Sequence, residues 1–386
     1  MTRTFFFISS RRPVYRGLVI LGLLAALVLV GGAAPHAQAA ANADGNVFAS
    51  SNSNPFLQFP EGITSWHEKV YIATYNIVSP QDSRILVYNA QSGHLMKMIG
   101  GRPGEELISN GFLLGLTIDP STGDLYAAAN ENAQILRIQN PESDNPQVSI
   151  YATYPAGGGP EDLAFNAQGT LYASDSNLGV VYAVPPGGGA ANLVIGPPGS
   201  GAPVSDNGLL QTPAGVAGLS PNGVVFSLDW RTLFVANTYS DSIIAFDVNA
   251  AGQVTGNARV FASNPNTAVE EDPQGFPGVY QPGQCIGACA STPLNGPDGL
   301  AIDSQGNLWV ASILGDNLTV LDMQGHVLRT VGTSAVTANG VLNNPAGMTF
   351  VGDNVFCSNL GIFTNLPFQI AEFPAGVTGA GGNGNH

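Results

Sequence analysis

Residues 296–312 read Gly-Pro-Asp-Gly-Leu-Ala-Ile-Asp-Ser-Gln-Gly-Asn-Leu-Trp-Val-Ala-Ser, and weaker copies of this pattern recur along the chain. Leu300 and Ile302, then Leu308 and Val310, are apolar at alternating positions, the period of a half-buried strand. Ser304-Gln305-Gly306-Asn307 between them is turn chemistry, with Gly306 free to take a positive φ. A further alternation at Leu318 and Val320 is followed by the turn Met323-Gln324-Gly325-His326 and by Val327, Leu328 and Val331. Four strands in about 40 residues is the size of one blade of a β-propeller.

The pattern of a turn residue, Gly, apolar alternation and a second Gly divides the chain into six such units. They open at Glu61-Gly62, Gly115, Pro160-Glu161-Asp162, Pro221-Asn222-Gly223, Asp298-Gly299 and Pro345-Ala346-Gly347. Units that cannot bury both faces alone must stack, and a closed ring removes the exposed sheet edges. The fold class expected is therefore all-β, a six-bladed propeller of four-stranded blades. The sixth unit shows only three strands, so Asn46–Ser50 is expected to supply its outer strand and close the ring. The propeller is expected over residues 41–375, with a disordered Gly-rich tail over 376–386. Two connections, 196–220 and 263–295, exceed ordinary loop length and are expected to cover the face where the inner strands begin.

Residues 1–40 have the grammar of a secretory signal peptide. Arg3, Arg11, Arg12 and Arg16 precede an apolar run from Leu18 to Val30, and Ala37-Gln38-Ala39 offers a small-residue cleavage site before Ala40. The run is short for a membrane span. Ser10-Arg11-Arg12-Pro13 also resembles a twin-arginine signal, so either export route, to the periplasm or the extracellular space, is open. Without the four leader arginines the chain keeps 8 Lys plus Arg against 27 Asp plus Glu, a formal charge of −19. That balance disfavours a nucleic-acid partner, and no membrane partner is expected after cleavage. Among three cysteines, Cys285 and Cys289 are close enough to pair, whereas Cys357 falls in an apolar strand pattern as a buried thiol.

In a propeller the innermost strands line a central channel. The residue before each inner-strand Gly, or its equivalent, is Glu61, Leu114, Glu161, Asn222, Asp298 and Ala346 in turn. Asp and Asn before Gly are common turn residues, but turn chemistry does not account for Glu at two of the positions. Three carboxylates and an amide are hard ligands, and like charges at close quarters repel without a cation. Glu61, Glu161, Asn222 and Asp298 are thus the candidate ligands of a divalent cation. Ca²⁺ comes first, with Mg²⁺, Zn²⁺ or Mn²⁺ as alternatives.

Pro221-Asn222-Gly223-Val224-Val225-Phe226 with Leu233-Phe234-Val235-Ala236-Asn237 resembles the fourth blade of the regucalcin/gluconolactonase family, and Asp298-Gly299 through Leu308-Trp309-Val310-Ala311 resembles its fifth. The resemblance implies a six-bladed propeller whose channel holds a divalent cation that promotes lactone hydrolysis. It carries the metal positions to Glu61, Asn222 and Asp298. The family's third-blade Asn-Asp-Gly, usually preceded by a substrate-binding Arg, is here Gly159-Pro160-Glu161-Asp162-Leu163, which leaves the substrate class open. Gly93-His94-Leu95 and Gly325-His326-Val327 are similar to outer hairpins of NHL repeats, with both histidines in solvent-facing turns. His67 has no partner histidine at metal spacing.

The function expected is an exported, metal-dependent hydrolase of a small lactone or ester, with Asp298 or Glu161 taking the proton from an attacking water. No Gly-x-Ser-x-Gly elbow is present. The rival is a non-catalytic NHL-type propeller that binds a protein or glycan through its loop-covered face.

Overall fold

The computed structural model describes residues 45–75, 83–100, 111–210, 220–264, 293–332, 334–335, 340–361, 364 and 366–381, all within one compact unit, His36–His386. The described regular structure is entirely β and forms six sheets, each an antiparallel meander from the channel outward. Blade 1 runs Pro60–Trp66, Lys69–Thr74, Arg84–Asn89, Leu95–Ile99, and the inner strands of the next five are Leu113–Ile118, Pro160–Phe165, Val224–Phe226, Pro297–Ile302 and Pro345–Val351. Asn46–Ser50 pairs antiparallel with Gln369–Pro374 as the outer strand of blade 6, so the two ends of the ring are hydrogen-bonded into one sheet.

Apolar clusters fill the spaces between blades 1 and 2, 3 and 4, 4 and 5, 5 and 6, and 6 and 1. Between blades 2 and 3, Tyr126 meets Phe165 edge to face at 5.0 Å. Trp309 shows how one side chain joins two blades. Fully buried, it packs edge-on against Phe350 of blade 6 at 5.4 Å, donates its indole N–H to Asp303 at 3.0 Å, and lies under the Arg329 guanidinium. Burying a ring of that size contributes on the order of several kcal/mol. Cys357 is a buried free thiol in the cluster between blades 5 and 6, as its apolar setting predicts. Cys285 and Cys289 lie outside the described residues, as does the stretch 1–40 read as a signal peptide.

Three features depart from the simple six-by-four plan. Blades 2 and 3 each gain a fifth, short parallel strand, Gly189–Ala190 beside Gln147–Thr153 and Val204–Ser205 beside Asn192–Gly196. The second of these uses part of the long connection expected over the channel. That part instead extends the blade's outer edge and buries Leu210 between blades 3 and 4; its remainder, 211–219, and residues 265–292 lie outside the described residues. The start of the Gly-rich tail is packed rather than disordered. Thr378 O accepts from Ser304 N, Ala380 N donates to Ile302 O, and Ala380 is buried against blade 5. Residues 382–386 are outside the described set.

The inner strands approach so closely that side chains are excluded at five of the six positions of one level. A Cβ on Gly62, Gly115, Gly223, Gly299 or Gly347 would lie closer than 3.0 Å to the backbone of the next inner strand: at Leu114, Glu161, Asp298, Ala346 and Glu61 respectively. Gly347 facing Glu61 closes this circle between the last blade and the first. Gly299→Ala should therefore cost about 1–3 kcal/mol of unfolding free energy. Gly381→Ala, with open space around it, should stay within about 0.5 kcal/mol. Urea unfolding of both variants checks the contrast.

Candidate functional site

The same extra residue recurs at the start of five inner strands. In blade 1, Pro60 pairs with Thr74 but Ile63 with Ile72, so Glu61 and Gly62 together face a single residue, Ala73, across the pair. Equivalent shifts occur at 113–116, 160–163, 297–300 and 345–348. In blade 4, Asn222 N donates to Ala236 O and Gly223 O accepts from Ala236 N, ahead of the regular ladder at Val224. A bulge of this kind bends the strand and re-aims its side chains. It turns Glu61, Asn222, Asp298 and Ala346 toward the channel.

One cavity at the axis is lined by Glu61, Asn222 and Asp298, together with Asp162. One residue further along each inner strand, Ile63, Leu116, Leu163, Val224, Leu300 and Met348 line it with apolar surface. The polar groups are thus buried against an apolar layer. Glu61 is 8% exposed, Glu161 7%, Asn222 8% and Asp298 3%.

Burial is the main reason why these acids bind a proton more tightly than a free carboxylate. It pushes Glu61 well above the usual carboxylate range, and the charges of Glu161, Asp298 and Asp162 add to the effect. Asp298 is raised to about 8 by burial and by Asp162, against a hydrogen bond from Asn222. Glu161 is also raised well above its ordinary value by burial, with Asp298 and Asp162 contributing. Asp162 is held at about 6 by burial, offset by the Val224 and Leu163 backbone N–H groups.

The four expected residues take different positions. Glu61 Oε2 and Asp298 Oδ1 are buried with no hydrogen-bond partner among the described residues. Glu161 is hydrogen-bonded within the protein: its Oε2 accepts from Ser176 Oγ at 2.5 Å and from Asn130 Nδ2 at 3.3 Å. Among the described residues no three His, Cys, Asp or Glu side chains stand close enough to hold an ion by themselves. Two unpartnered carboxylate oxygens and the Asn222 amide are the hard-oxygen donors that fit a divalent cation here. His94 and His326 are exposed in outer turns, and His67 is exposed beside Glu142 at 3.2 Å.

Two residues at the site were not singled out from the sequence. Asp162 stands where the other inner strands carry glycine, and its Oδ2 accepts from Val224 N at 3.0 Å, joining blades 3 and 4. Its signal was the break in the glycine series. Tyr75, just after the second strand of blade 1, feels the charges of Glu61, Glu161 and Asp298 and is buried among Phe59 and Phe112. No motif marks it.

A closed six-bladed propeller with acidic and amide side chains turned by bulges into its channel defines the class of protein. Residues 90–349 match the model of the SMP-30/gluconolactonase/LRE-like region. That is more than half of the chain, which therefore belongs to this family. Glu161, Asn222 and Asp298 lie within the matched stretch, while Glu61 precedes it and reaches the site because the ring closes. No curated protein sequence matches the chain.

Solved structures share the fold at low identity. Regucalcin from Agrobacterium tumefaciens str. C58, described as a calcium-binding protein, is 16% identical with a TM-score of 0.56, covering 87% of this chain and 95% of that one. A gluconolactonase from Xanthomonas campestris is 18% identical with a TM-score of 0.51, covering 82% and 86%. A luciferin-regenerating enzyme is 14% identical with a TM-score of 0.53, covering 85% and 93%.

Without a cation, the raised acids make stability depend on pH in a defined sense. Asp298 loses its proton near the ordinary 3.8 when unfolded and near 8 when folded. Between these values the folded chain binds more protons, so stability falls as pH rises across the window and levels off above it. The slope from this group is on the order of 1 kcal/mol per pH unit. Unfolding in EDTA from pH 5 to 9 should show the fall, and Asp298→Asn should make it shallower, with Glu61 and Glu161 supplying the rest.

Proposed function

We propose that the protein is an exported hydrolase of a small lactone or ester, dependent on a divalent cation at the channel mouth, with Ca²⁺ first among the candidates. The observation that carries this reading is the pair of buried, unpartnered oxygens, Glu61 Oε2 and Asp298 Oδ1, in one cavity with Asn222. Buried carboxylates so placed are costly unless protonated or matched by a positive charge, and among the described residues no Lys or Arg lines that cavity. Membership of the gluconolactonase-like family supports the reaction class.

Glu61, Asn222 and Asp298 would hold the cation, and when bound it supplies Lewis-acid polarisation of the substrate carbonyl. The chain's own residues supply the proton chemistry. Burial raises Asp298 to about 8 and Glu161 well above the ordinary carboxylate range, and a raised proton affinity makes a carboxylate a stronger general base. Ser176 and Asn130 fix the orientation of Glu161. The apolar layer beneath the site limits water around these groups and strengthens their electrostatics. Deprotonating an attacking water and returning the proton to the leaving alkoxide would open the ester link to acid and alcohol.

A cation that binds only the folded state stabilises it by about 2.7 kcal/mol at a hundredfold excess over Kd. Added Ca²⁺ should raise the unfolding midpoint of EDTA-treated protein, and the combined substitution Glu61→Ala, Asn222→Ala, Asp298→Ala should abolish the rise. Asp298→Ala alone should cut lactone or ester turnover by about 10²–10⁴-fold while the circular dichroism spectrum stays β. If no divalent cation shifts the midpoint and elemental analysis finds none bound, the metallohydrolase reading fails, leaving a binding propeller. Export is checked separately: N-terminal sequencing of protein recovered outside the cytoplasm should begin at Ala40.

A further inference from the structure

The residue that follows the second strand occupies an equivalent place in every blade, and three of the six reach the acids: Tyr75 lies in the field of Glu61, Glu161 and Asp298, and Asn130 and Ser176 donate to Glu161. Thr74, Ala129, Asp175, Ser312 and Asn359 pair with the first residues of their inner strands. The residues after them are Tyr75, Asn130, Ser176, Ile313 and Leu360, with Thr238 in the corresponding place of blade 4. All six are buried. Around the ring they divide into two continuous arcs, Asn130, Ser176 and Thr238 on blades 2 to 4, and Ile313, Leu360 and Tyr75 on blades 5, 6 and 1.

The polar arc is already engaged. Asn130 donates to Pro160 O and Glu161, Ser176 donates to Glu161, and Thr238 Oγ1 donates to Pro297 O at 2.7 Å. Ile313 and Leu360 of the other arc have no polar side-chain atom to engage. Tyr75, Ile313 and Leu360 belong to none of the five clusters that pack blade against blade. The apolar surface continues from Tyr75 to Phe59, stacked at 5.5 Å, to Phe112 at 4.7 Å, and from Phe59 to Phe368 at 4.5 Å. No Lys or Arg occurs in either ring.

We propose that the site is built for a neutral lactone or ester with an alkyl or aryl substituent, its reacting carbonyl at Asn222 and Asp298 and its substituent against Tyr75, Ile313 and Leu360. This rests on the hydrolase reading of the same site. Selectivity follows from unmet hydrogen bonds. A polyhydroxylated ring placed here would bury hydroxyls against Ile313 and Leu360, whose side chains offer no hydrogen-bond partner. An anionic substituent would meet the field of Glu61, Glu161, Asp162 and Asp298 with no cationic side chain to receive it.

The test is calorimetric binding of γ-lactams, which keep ring and carbonyl but resist hydrolysis, to the purified protein in Ca²⁺ buffer. Kd should tighten by about tenfold or more from a 5-methyl to a 5-hexyl lactam. Polyhydroxylated and carboxylate-bearing lactams should bind at least about tenfold more weakly than the hexyl compound. Ile313→Asn and Leu360→Asn should flatten the chain-length dependence; should either fail to fold, Leu360→Ala and the series on the unsubstituted protein still decide. A flat series, no lactam binding, or equal affinity for the polyhydroxylated lactam would overturn the proposal. Turnover of the matching lactones is read separately. Alkyl-lactam binding without hydrolysis removes the hydrolase reading alone, whereas hydrolysis with a flat alkyl series removes this inference alone.

Discussion

Everything at the channel depends on how closely six backbones can approach one axis. Glycine at 62, 115, 223, 299 and 347 lets each inner strand lie against the next without an intervening Cβ. The bulge beside each glycine makes that approach compatible with a sheet, because it absorbs one residue and bends the strand. Packing and chemistry share this device. The residue that the bulge displaces is the one whose side chain faces the channel, so a position required for closure is also the position of Glu61, Asn222 and Asp298.

Ring closure distributes the load. Blade 6 is completed by Asn46–Ser50, and its inner strand is fastened to blade 1 by Ser65 Oγ donating to Phe350 O at 2.8 Å and by the Thr349–Ser65 hydroxyl pair at 3.0 Å. The packed clusters between blades supply the apolar burial that makes the core rigid. That rigidity allows several carboxyl groups to stay buried within one another's field. In a softer scaffold they would separate or admit water. Glu61, outside the family-matched stretch, is held opposite Asn222 and Asp298 only through this closure.

Much of the architecture was legible because the strand and turn signals are local. Alternation at Leu300, Ile302, Leu308 and Val310, with Gly306 between, specifies a hairpin wherever it occurs, and six copies imply stacking. The missing strand of blade 6 was readable from the same count. The residues that escaped notice act through tertiary placement. Tyr75 follows a strand without any motif, and its proximity to the acids arises from the meander that returns the second strand to the channel. From the sequence, Asp162 was legible only as the neighbour of Glu161, and only the register shows it occupying a glycine place. Thr378 and Ala380 sit in a sequence with the composition of a disordered tail, yet two backbone hydrogen bonds and one small buried side chain dock it. Composition describes average tendency, while a short stretch needs only a matching edge.

The channel also explains why a single fold can keep its ring and change its chemistry. The glycine level and the apolar level beneath it are constrained by packing, so a larger residue at either strains several blades at once. The residue before each glycine and the residue after each second strand have fewer backbone obligations. Here Leu114 and Ala346 leave two positions of the lower ring apolar, whereas Glu61, Glu161, Asn222 and Asp298 make the others polar. The upper ring is split in the same way, with Ile313, Leu360 and Tyr75 opposite three side chains committed to internal hydrogen bonds. Specificity in such a scaffold is written at twelve places whose geometry is fixed by the ring and whose side chains are not.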